Sequence, residues 1–148
     1  PARPYDRGGR AMTQPIDDPA TLAEVTEAFH RYEAALLRHD VGVLDSMFLP
    51  SHRTVRYGVA EVQHGIEEVR RFRATQGPFD RSLSHTVITS FGRDVAVAST
   101  LFHRPDTPGK TGRQTQTWVR TGAGWQIAAA HVSMMDSDLL AGQARAAR

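Results

Sequence analysis

The second half of the chain consists of four strand-like segments that follow one another with short connections. From residue 82 onward these are SLSHTVITSF, VAVASTLFHR, RQTQTWVR and WQIAAAHVS, which are rich in β-branched and aromatic residues. Glycine-containing turns, GRD, PDTPGKTG and TGAG, separate them. Because a tight turn reverses the chain, strands joined in this way pair antiparallel. The pattern predicts an antiparallel meander, which strongly limits the folds open to this chain.

The first half of the chain is helical in pattern. Asp18 followed by Pro19 is typical of a helix start, because aspartate caps free amides and proline suits the first turn. Apolar residues then recur at steps of three and four, which predicts an amphipathic helix. Its apolar face comprises Leu22, Val25, Phe29, Tyr32 and Leu36. A second, shorter helix is expected to begin at Asp40 and to end before Pro50.

A short strand and a third helix connect these helices to the meander. Residues 54–59 alternate as a strand does, and Arg56 lies in their middle. IEEVRRFRATQ follows, and on a helix its Ile66, Val69 and Arg73 share one face. This order of elements indicates an α+β fold, a curved antiparallel sheet packed on the N-terminal helices. A curved sheet of this kind should leave a cone-shaped cavity between itself and the helices. Ligand sites favour such concave places.

The length of 148 residues suits one domain with one core. We expect residues 15–136 to form it, with residues 1–14 an N-terminal extension or tag remnant and residues 137–148 a C-terminal tail. The absence of cysteine excludes disulfides and thiolate chemistry and agrees with a cytoplasmic location. Because the net charge of +2 comes from scattered arginines, no nucleic-acid partner is expected. No apolar run approaches the roughly 20 residues of a membrane span, so no membrane partner is expected either.

Common catalytic signatures are missing from the sequence. It contains no GxSxG, P-loop, GxGxxG or HExxH motif, and its seven histidines lack the close spacing of metal ligands. We therefore expect neither a bound metal nor a cofactor. The polar side chains within the predicted elements remain as candidates for a site.

Each of these polar side chains also has an ordinary structural explanation. Tyr32 lies on an apolar helix face, as a core tyrosine does, and Arg73 can extend its charge from its helix to solvent. Arg56 alternates with apolar neighbours, as a solvated arginine does. Gln114 and Gln116 are compatible with an exposed sheet surface. Spacing alone therefore selects no site.

The same holds for a histidine of the last predicted strand. Counting by two places His131 on one face with Trp125, Ile127 and Ala129. That face is apolar, which predicts a histidine that points inward and is either a satisfied core residue or part of a site.

Several segments of the chain resemble one protein family. They run from FHRYEAALLRHDVGVLDSMF through HRTVRYGVAE, GIEEVRRFR and TVITSFGRDVAVAST to GRQTQTWVR and GWQIAAAHVS. In them the chain is similar to the AtzH-like proteins, also called oxalurate-catabolism HpxZ-like, of the nuclear-transport-factor-2-like superfamily. The resemblance covers residues 21–133, and VRYGVAE and the FGRD segment are its most specific motifs. It implies a cone-shaped α+β barrel.

The resemblance also implies an activity. The family is associated with bacterial catabolism of small nitrogen-rich carboxylates, alongside an amidase-signature enzyme that becomes a candidate partner. The associated reaction removes a carboxyl group from an N-carboxylated urea, 1,3-dicarboxyurea to allophanate, and is described as that of a decarboxylating amidohydrolase. The residues implicated in the family are a tyrosine of the first helix and an arginine of the first strand. They fall here on Tyr32 and Arg56.

These residue types suit the implied reaction. A guanidinium binds a carboxylate through two parallel hydrogen bonds, which predicts that Arg56 holds a small anionic substrate. The hydroxyl of Tyr32 can protonate the nitrogen as carbon dioxide leaves. We expect Arg73 and His131 to add positive charge or donors around the anion. Further polar lining is expected from Gln116, Ser133 and Glu61.

Two other functions stay open at this level. A ketosteroid-isomerase-like or cyclase-like enzyme would need a carboxylate base in the cavity, and Glu61 is the nearest candidate. Alternatively, the protein is a non-catalytic, metabolite-binding partner of the amidase. A homodimer is expected, because the outer face of the sheet has apolar residues that need a cover. These are Val95, Val97 and Leu101, or their counterparts on the opposite face.

Overall fold

The fold is described by a computed structural model over residues 14–147. It begins with helix α1, Pro19–Arg38, and helix α2, Val41–Ser46. Both begin where the capping pattern predicts. The Asp18 carboxylate accepts a hydrogen bond from a first-turn backbone amide at 3.1 Å, and Asp40 caps α2 in the same way. The predicted apolar face of α1 is almost entirely buried.

The remaining elements follow the predicted order with two additions. They are β1 Val55–Tyr57, β2 Val62–His64, α3 Ile66–Ala74, β3 Ser82–Phe91, β4 Val95–His103, β5 Lys110–Thr121, β6 Gly124–Asp136 and α4 Ser137–Ala146. The additions are β2, which is too short to show a periodicity, and α4, which forms in the expected tail. The expected extension, residues 1–14, lies outside the described residues except for its last position. None of the helices described has the length and hydropathy needed to cross a bilayer.

All six strands belong to one curved sheet with the order β2-β1-β6-β5-β4-β3. The strands from β3 to β6 form the predicted antiparallel meander. β1 pairs antiparallel with β2 and parallel with β6, so the short strand after α2 extends the edge of the meander. The expected α+β architecture is confirmed, with one parallel pair in an otherwise antiparallel sheet.

One extra residue in β6 changes which side chains face the helices. Thr117 pairs with Ala129, but the next residue of β5, Trp118, pairs with Ile127. Ala128 is therefore a β-bulge, and a bulge shifts the alternation of faces by one position. Because of this shift, His131 points to the outer face of the sheet and is exposed. The prediction that it shares the inner face of Ile127 was wrong.

Large apolar side chains fill one half of the space between the sheet and the helices. We call this half the closed end. Every member of the set that defines it is at most 1% exposed, as expected for a close-packed interior. The set comprises Val25, Phe29, Leu44, Met47, Phe48, Trp118 and Ile127.

Candidate active site

The other half of this space is a cavity of about 320 Å³. Its walls come largely from the elements that also fill the closed end. α1, β5 and β6 contribute Tyr32, Leu36, Gln114, Gln116, Ala130, Val132 and Met134. β1, the turn after β1, α3, the loop between α3 and β3, and β4 complete the wall. On β5 and β6, glutamine and alanine side chains stand where the closed end has Trp118 and Ile127, and this difference leaves the space open.

Five of the seven predicted site residues line the cavity, namely Tyr32, Arg56, Glu61, Arg73 and Gln116. The other two, His131 and Ser133, do not. Beyond the Ala128 bulge, Ala130 and Val132 face the cavity, so their odd-numbered neighbours face outward. There the Ser133 hydroxyl accepts a hydrogen bond from Arg113 at 3.2 Å. The prediction that His131 and Ser133 lie around the anion was therefore wrong.

Tyr32 lies where the closed end meets the cavity. Its ring is 4% exposed and contacts the rings of Phe48 and Trp118 edge to face, with centroids 6.1 and 6.2 Å apart. These contacts fix the direction of the side chain. Within residues 14–147 its hydroxyl has no hydrogen-bond partner, although buried tyrosine hydroxyls usually find one. The hydroxyl is thus available to a ligand in the cavity.

Two glutamines of β5 line the cavity and accept hydrogen bonds from within the protein. Gln116 accepts a hydrogen bond from the indole of Trp118 at 3.1 Å, and Gln114 accepts one from Arg81 at 3.2 Å. Both side chains are at most 3% exposed, so their reading as exposed sheet residues was wrong. Among the residues described, neither amide nitrogen has an acceptor, and that of Gln114 is fully buried. The Gln116 nitrogen is a donor that a ligand oxygen in the cavity would satisfy.

Two partly buried arginines of the cavity wall are held by carboxylates. Arg81 binds Glu33 with two atoms of its guanidinium, at 2.8 and 2.5 Å. Arg56 donates from Nη1 to Glu61 at 3.1 Å and to Gln63 at 2.9 Å. Such bonds fix the planes of the two guanidinium groups, because charge-assisted hydrogen bonds are directional.

Aromatic rings support the same two guanidinium groups. Arg56 lies 4.6 Å from the ring centroid of Phe72, and Arg81 lies 4.8 Å from that of Phe102. The ring of Phe102 covers Gly112 on the neighbouring strand. A Cβ atom at Gly112 would lie 2.1 Å from this ring, so the platform under Arg81 requires glycine there.

Arg73 differs from the other arginines of the cavity. Arg104, at the rim, binds Asp106 at 2.9 and 2.7 Å, and these hydrogen bonds lower the pKa of the Asp106 carboxyl. Arg73 is 4% exposed, and within residues 14–147 no carboxylate lies within 4.0 Å of its guanidinium. Its nearest aromatic support is Phe48, 5.8 Å from the guanidinium carbon. A buried charge of this kind favours binding of an anion.

The lining as a whole is rich in hydrogen-bond donors and poor in free acceptors. Donors come from Tyr32, the Gln116 amide and Arg73, whereas the carboxylate of Glu61 is already bound to Arg56. Such a wall suits a small anion with several oxygen atoms. In the described part of the chain, no group of three His, Asp or Glu side chains is placed to hold a metal ion.

Arg81 and Gln114 are polar residues of this wall that sequence reasoning did not assign to the site. Arg81 precedes β3 and so belongs to no periodic segment, and its partner Glu33 is 48 residues away. Gln114 lies two residues from Gln116 on the same strand face, which is the signal that could have found it.

Comparisons with known proteins agree with this fold. A family model described as AtzH-like matches residues 14–138. A protein of unknown function from Pectobacterium atrosepticum is 51% identical, with a TM-score of 0.79, over 82% of this chain and 95% of that chain. A cystatin-like fold protein from Burkholderia xenovorans is 44% identical, with a TM-score of 0.80, over 82% and 97%.

A nuclear-transport-factor-2-like protein from Salmonella enterica is more distant. It is 25% identical, with a TM-score of 0.63, over 77% of this chain and 90% of that chain. A comparison with curated protein sequences gives no match. The family model covers most of the chain, and the resemblance to its motifs is thereby confirmed. This protein belongs to the AtzH-like family and has the nuclear-transport-factor-2-like fold.

Proposed function

We propose that this protein removes a carboxyl group from an N-carboxylated urea, in a reaction of the type 1,3-dicarboxyurea to allophanate. The observation that carries this proposal is the buried Arg73, without a carboxylate partner in residues 14–147, in a wall of hydrogen-bond donors. A small carboxylate supplies the negative charge and acceptor oxygens that this wall lacks. A cavity of about 320 Å³ is at the small end of ligand sites, which suits such a molecule. Membership of the AtzH-like family supports the same reaction class.

The two carboxylates of the substrate have separate positions in this proposal. Arg73 binds the carboxylate that stays in the product, and Arg56 binds the one that is lost. The amide nitrogen of Gln116 donates to the urea oxygen between the two ends.

The reaction then needs one proton and no cofactor. The bond between nitrogen and the carboxyl carbon breaks, its electron pair stays on nitrogen, and neutral carbon dioxide leaves. Tyr32 donates its hydroxyl proton to that nitrogen and regains one from water. One dianion and one proton thus give carbon dioxide and a monoanion.

Release of labelled carbon dioxide from 1,3-dicarboxyurea tests this function. We expect turnover by the wild type and a fall of about 100-fold in Tyr32→Phe, the usual scale for a positioned proton donor. Arg56→Lys keeps the charge but loses the planar fork, so turnover should be nearly abolished. Both variants should unfold as the wild type does. Full activity in Tyr32→Phe, or no release by the wild type, would sink the proposal.

The alternative functions differ in what they require of the cavity. An isomerase-like mechanism needs a free carboxylate base, but both oxygens of Glu61 already accept hydrogen bonds, from Arg56 and from the Ala60 amide. A non-catalytic, metabolite-binding partner of an amidase would bind a dicarboxylate without releasing carbon dioxide. The same assay therefore separates binding from turnover.

We also propose a homodimer through the outer face of the sheet. This face leaves Val87 61%, Val95 39% and Phe91 37% exposed, and the less exposed Val97 and Leu101 lie on it as well. Light scattering at micromolar concentration should give twice the monomer mass, and a monomer alone would contradict this. An amidase-signature enzyme is a further proposed partner, which co-elution of the two proteins would test.

A further inference from the structure

Glu61 occupies Nη1 of Arg56, one of the donors that a substrate carboxylate would use. Its Oε1 accepts from Nη1 of Arg56 at 3.1 Å, and its Oε2 accepts from the Ala60 amide at 3.1 Å. Glu61 lies in the turn between β1 and β2. Its side chain is 28% exposed, whereas that of Arg56 is 13% exposed. A carboxylate of the protein itself is therefore bound to Arg56, and it is the more exposed member of the pair.

The turn that holds Glu61 is shaped for this contact. The Gly58 amide donates to the backbone carbonyl of Glu61 at 2.8 Å, which closes the turn. A Cβ atom at Gly58 would lie 1.8 Å from Oε1 of Glu61 and 2.9 Å from Nη1 of Arg56. The ion pair thus requires a residue without a side chain at this position. The turn is exposed at Val59, 57% of whose surface is accessible, so Glu61 can leave Arg56 without disturbing the core.

The charges of the wall match one anion while Glu61 stays in place. Arg56, Arg81 and Arg104 each have a carboxylate partner. Arg73 has none among residues 14–147, so one negative charge balances it. A dianion brings one charge more than the wall can match. Displacement of Glu61 from Arg56 would give this second charge a partner.

We propose that the second carboxylate of the substrate displaces Glu61 from Arg56, and that Glu61 returns when this carboxylate leaves. The proposal rests on the proposed function for the identity of the substrate. When the N–C bond breaks, the charge moves to nitrogen and is neutralised by the Tyr32 proton, and the departing carbon dioxide is neutral. Arg56 is then left without a counter-ion at low exposure, which is unfavourable. Glu61 restores the pair, so it distinguishes a dianionic substrate from its monoanionic product.

Two probes that differ in one carboxylate test this exchange without any turnover. Malonate has two carboxylates, and malonamate has the same skeleton with one of them replaced by an amide. NMR titration of each into the wild type and Glu61→Gln gives the affinities. Because glutamine competes for Arg56 without charge, the variant should bind malonate about tenfold more tightly and malonamate less than about twofold more tightly.

Asp106→Asn is the matched control. It also removes a carboxylate from an arginine of the cavity, but this pair lies at the rim, where Asp106 is 61% exposed and solvent screens its charge. Both affinities should stay within about twofold of the wild type. A rise in malonate affinity equal to that of Glu61→Gln would mean that net charge alone acts, and it would overturn the exchange.

Two further outcomes would overturn the proposal. Equal changes for malonate and malonamate in Glu61→Gln would show that no second carboxylate reaches Arg56. Weaker malonate binding would show that Glu61 only positions Arg56. These binding results do not depend on release of carbon dioxide, so a failure of the exchange and a failure of the proposed reaction give different patterns.

Discussion

The closed end and the cavity are built from the same helix and the same strands, yet only one of them is filled. On α1, Phe29 packs into the closed end and Tyr32 borders the cavity one turn later. On β5, Trp118 belongs to the closed end and Gln114 to the cavity. α1 and β5 run without interruption through both regions, and β6 does so with one bulge, at Ala128. Side-chain size and polarity therefore decide where this fold keeps space for a ligand.

The two regions also differ in their contribution to stability. The closed end buries large apolar side chains, which is the main favourable contribution to folding. The cavity buries Arg73 without a carboxylate partner in residues 14–147 and leaves the Gln114 amide nitrogen unsatisfied, and both cost free energy. The residues that stabilise the fold and those available to bind a ligand thus lie at different positions along the same elements.

The largest effect is expected at the closed end. Trp118 is fully buried, so Trp118→Ala removes a large apolar contact and leaves a void, which should lower the free energy of unfolding by about 3–5 kcal/mol. Urea denaturation measures this loss. A loss below about 1 kcal/mol would mean that the closed end repacks around the void and is not rigidly packed.

A matched pair of substitutions tests the comparison directly. Ala96, opposite Trp118, is fully buried in the closed end, whereas Ala130, opposite Gln116, lines the cavity. Ala96→Leu overpacks a filled region and should lower the free energy of unfolding by about 1–3 kcal/mol. Ala130→Leu extends into open space, so we expect a change within about 1 kcal/mol together with a loss of malonate binding of at least tenfold. Equal destabilisation by the two variants would contradict the division into two regions.

The smallest effect concerns an ion pair at the outer edge of the closed end. Glu24 accepts hydrogen bonds from Arg120 and from the indole of Trp125, and these lower the pKa of its carboxyl from the ordinary value of 4.5. A lowered pKa in the folded state stabilises the fold above pH 4.5, and this contribution is lost as the pH falls through the lowered value. Denaturation midpoints of wild type and Glu24→Gln should therefore differ at pH 7 and converge in acid. A constant difference would show that packing, and not charge, is responsible.

Much of the fold could be predicted because its elements carry long periodic patterns. The caps at Asp18 and Asp40, the buried face of α1 and the antiparallel meander all follow from local spacing. The bulge could not be predicted, because it lies in IAAAH, where alanines fit either face of a sheet. A run of small residues does not indicate which face of the sheet each side chain points to.

The candidate site was predictable only in part, and for a related reason. Tyr32 and Arg73 lie on helical faces whose apolar neighbours fix their direction. Arg81 lies between elements, and its buried position depends on Glu33, which is distant in sequence. No local sequence pattern predicts a contact between residues that are so far apart in the chain. The roles proposed for these residues remain predictions.

The bulge at Ala128 makes the lining of the cavity sensitive to insertions and deletions in β6. A substitution in β6 alters one side chain, but removal of Ala128 would reverse the orientation of every residue on one side of it. Ala130, Val132 and Met134 would then exchange faces with His131 and Ser133, and imidazole and hydroxyl groups would enter the cavity. A related chain with one residue fewer here should thus have a different pocket chemistry on the same backbone, even where every aligned residue is identical.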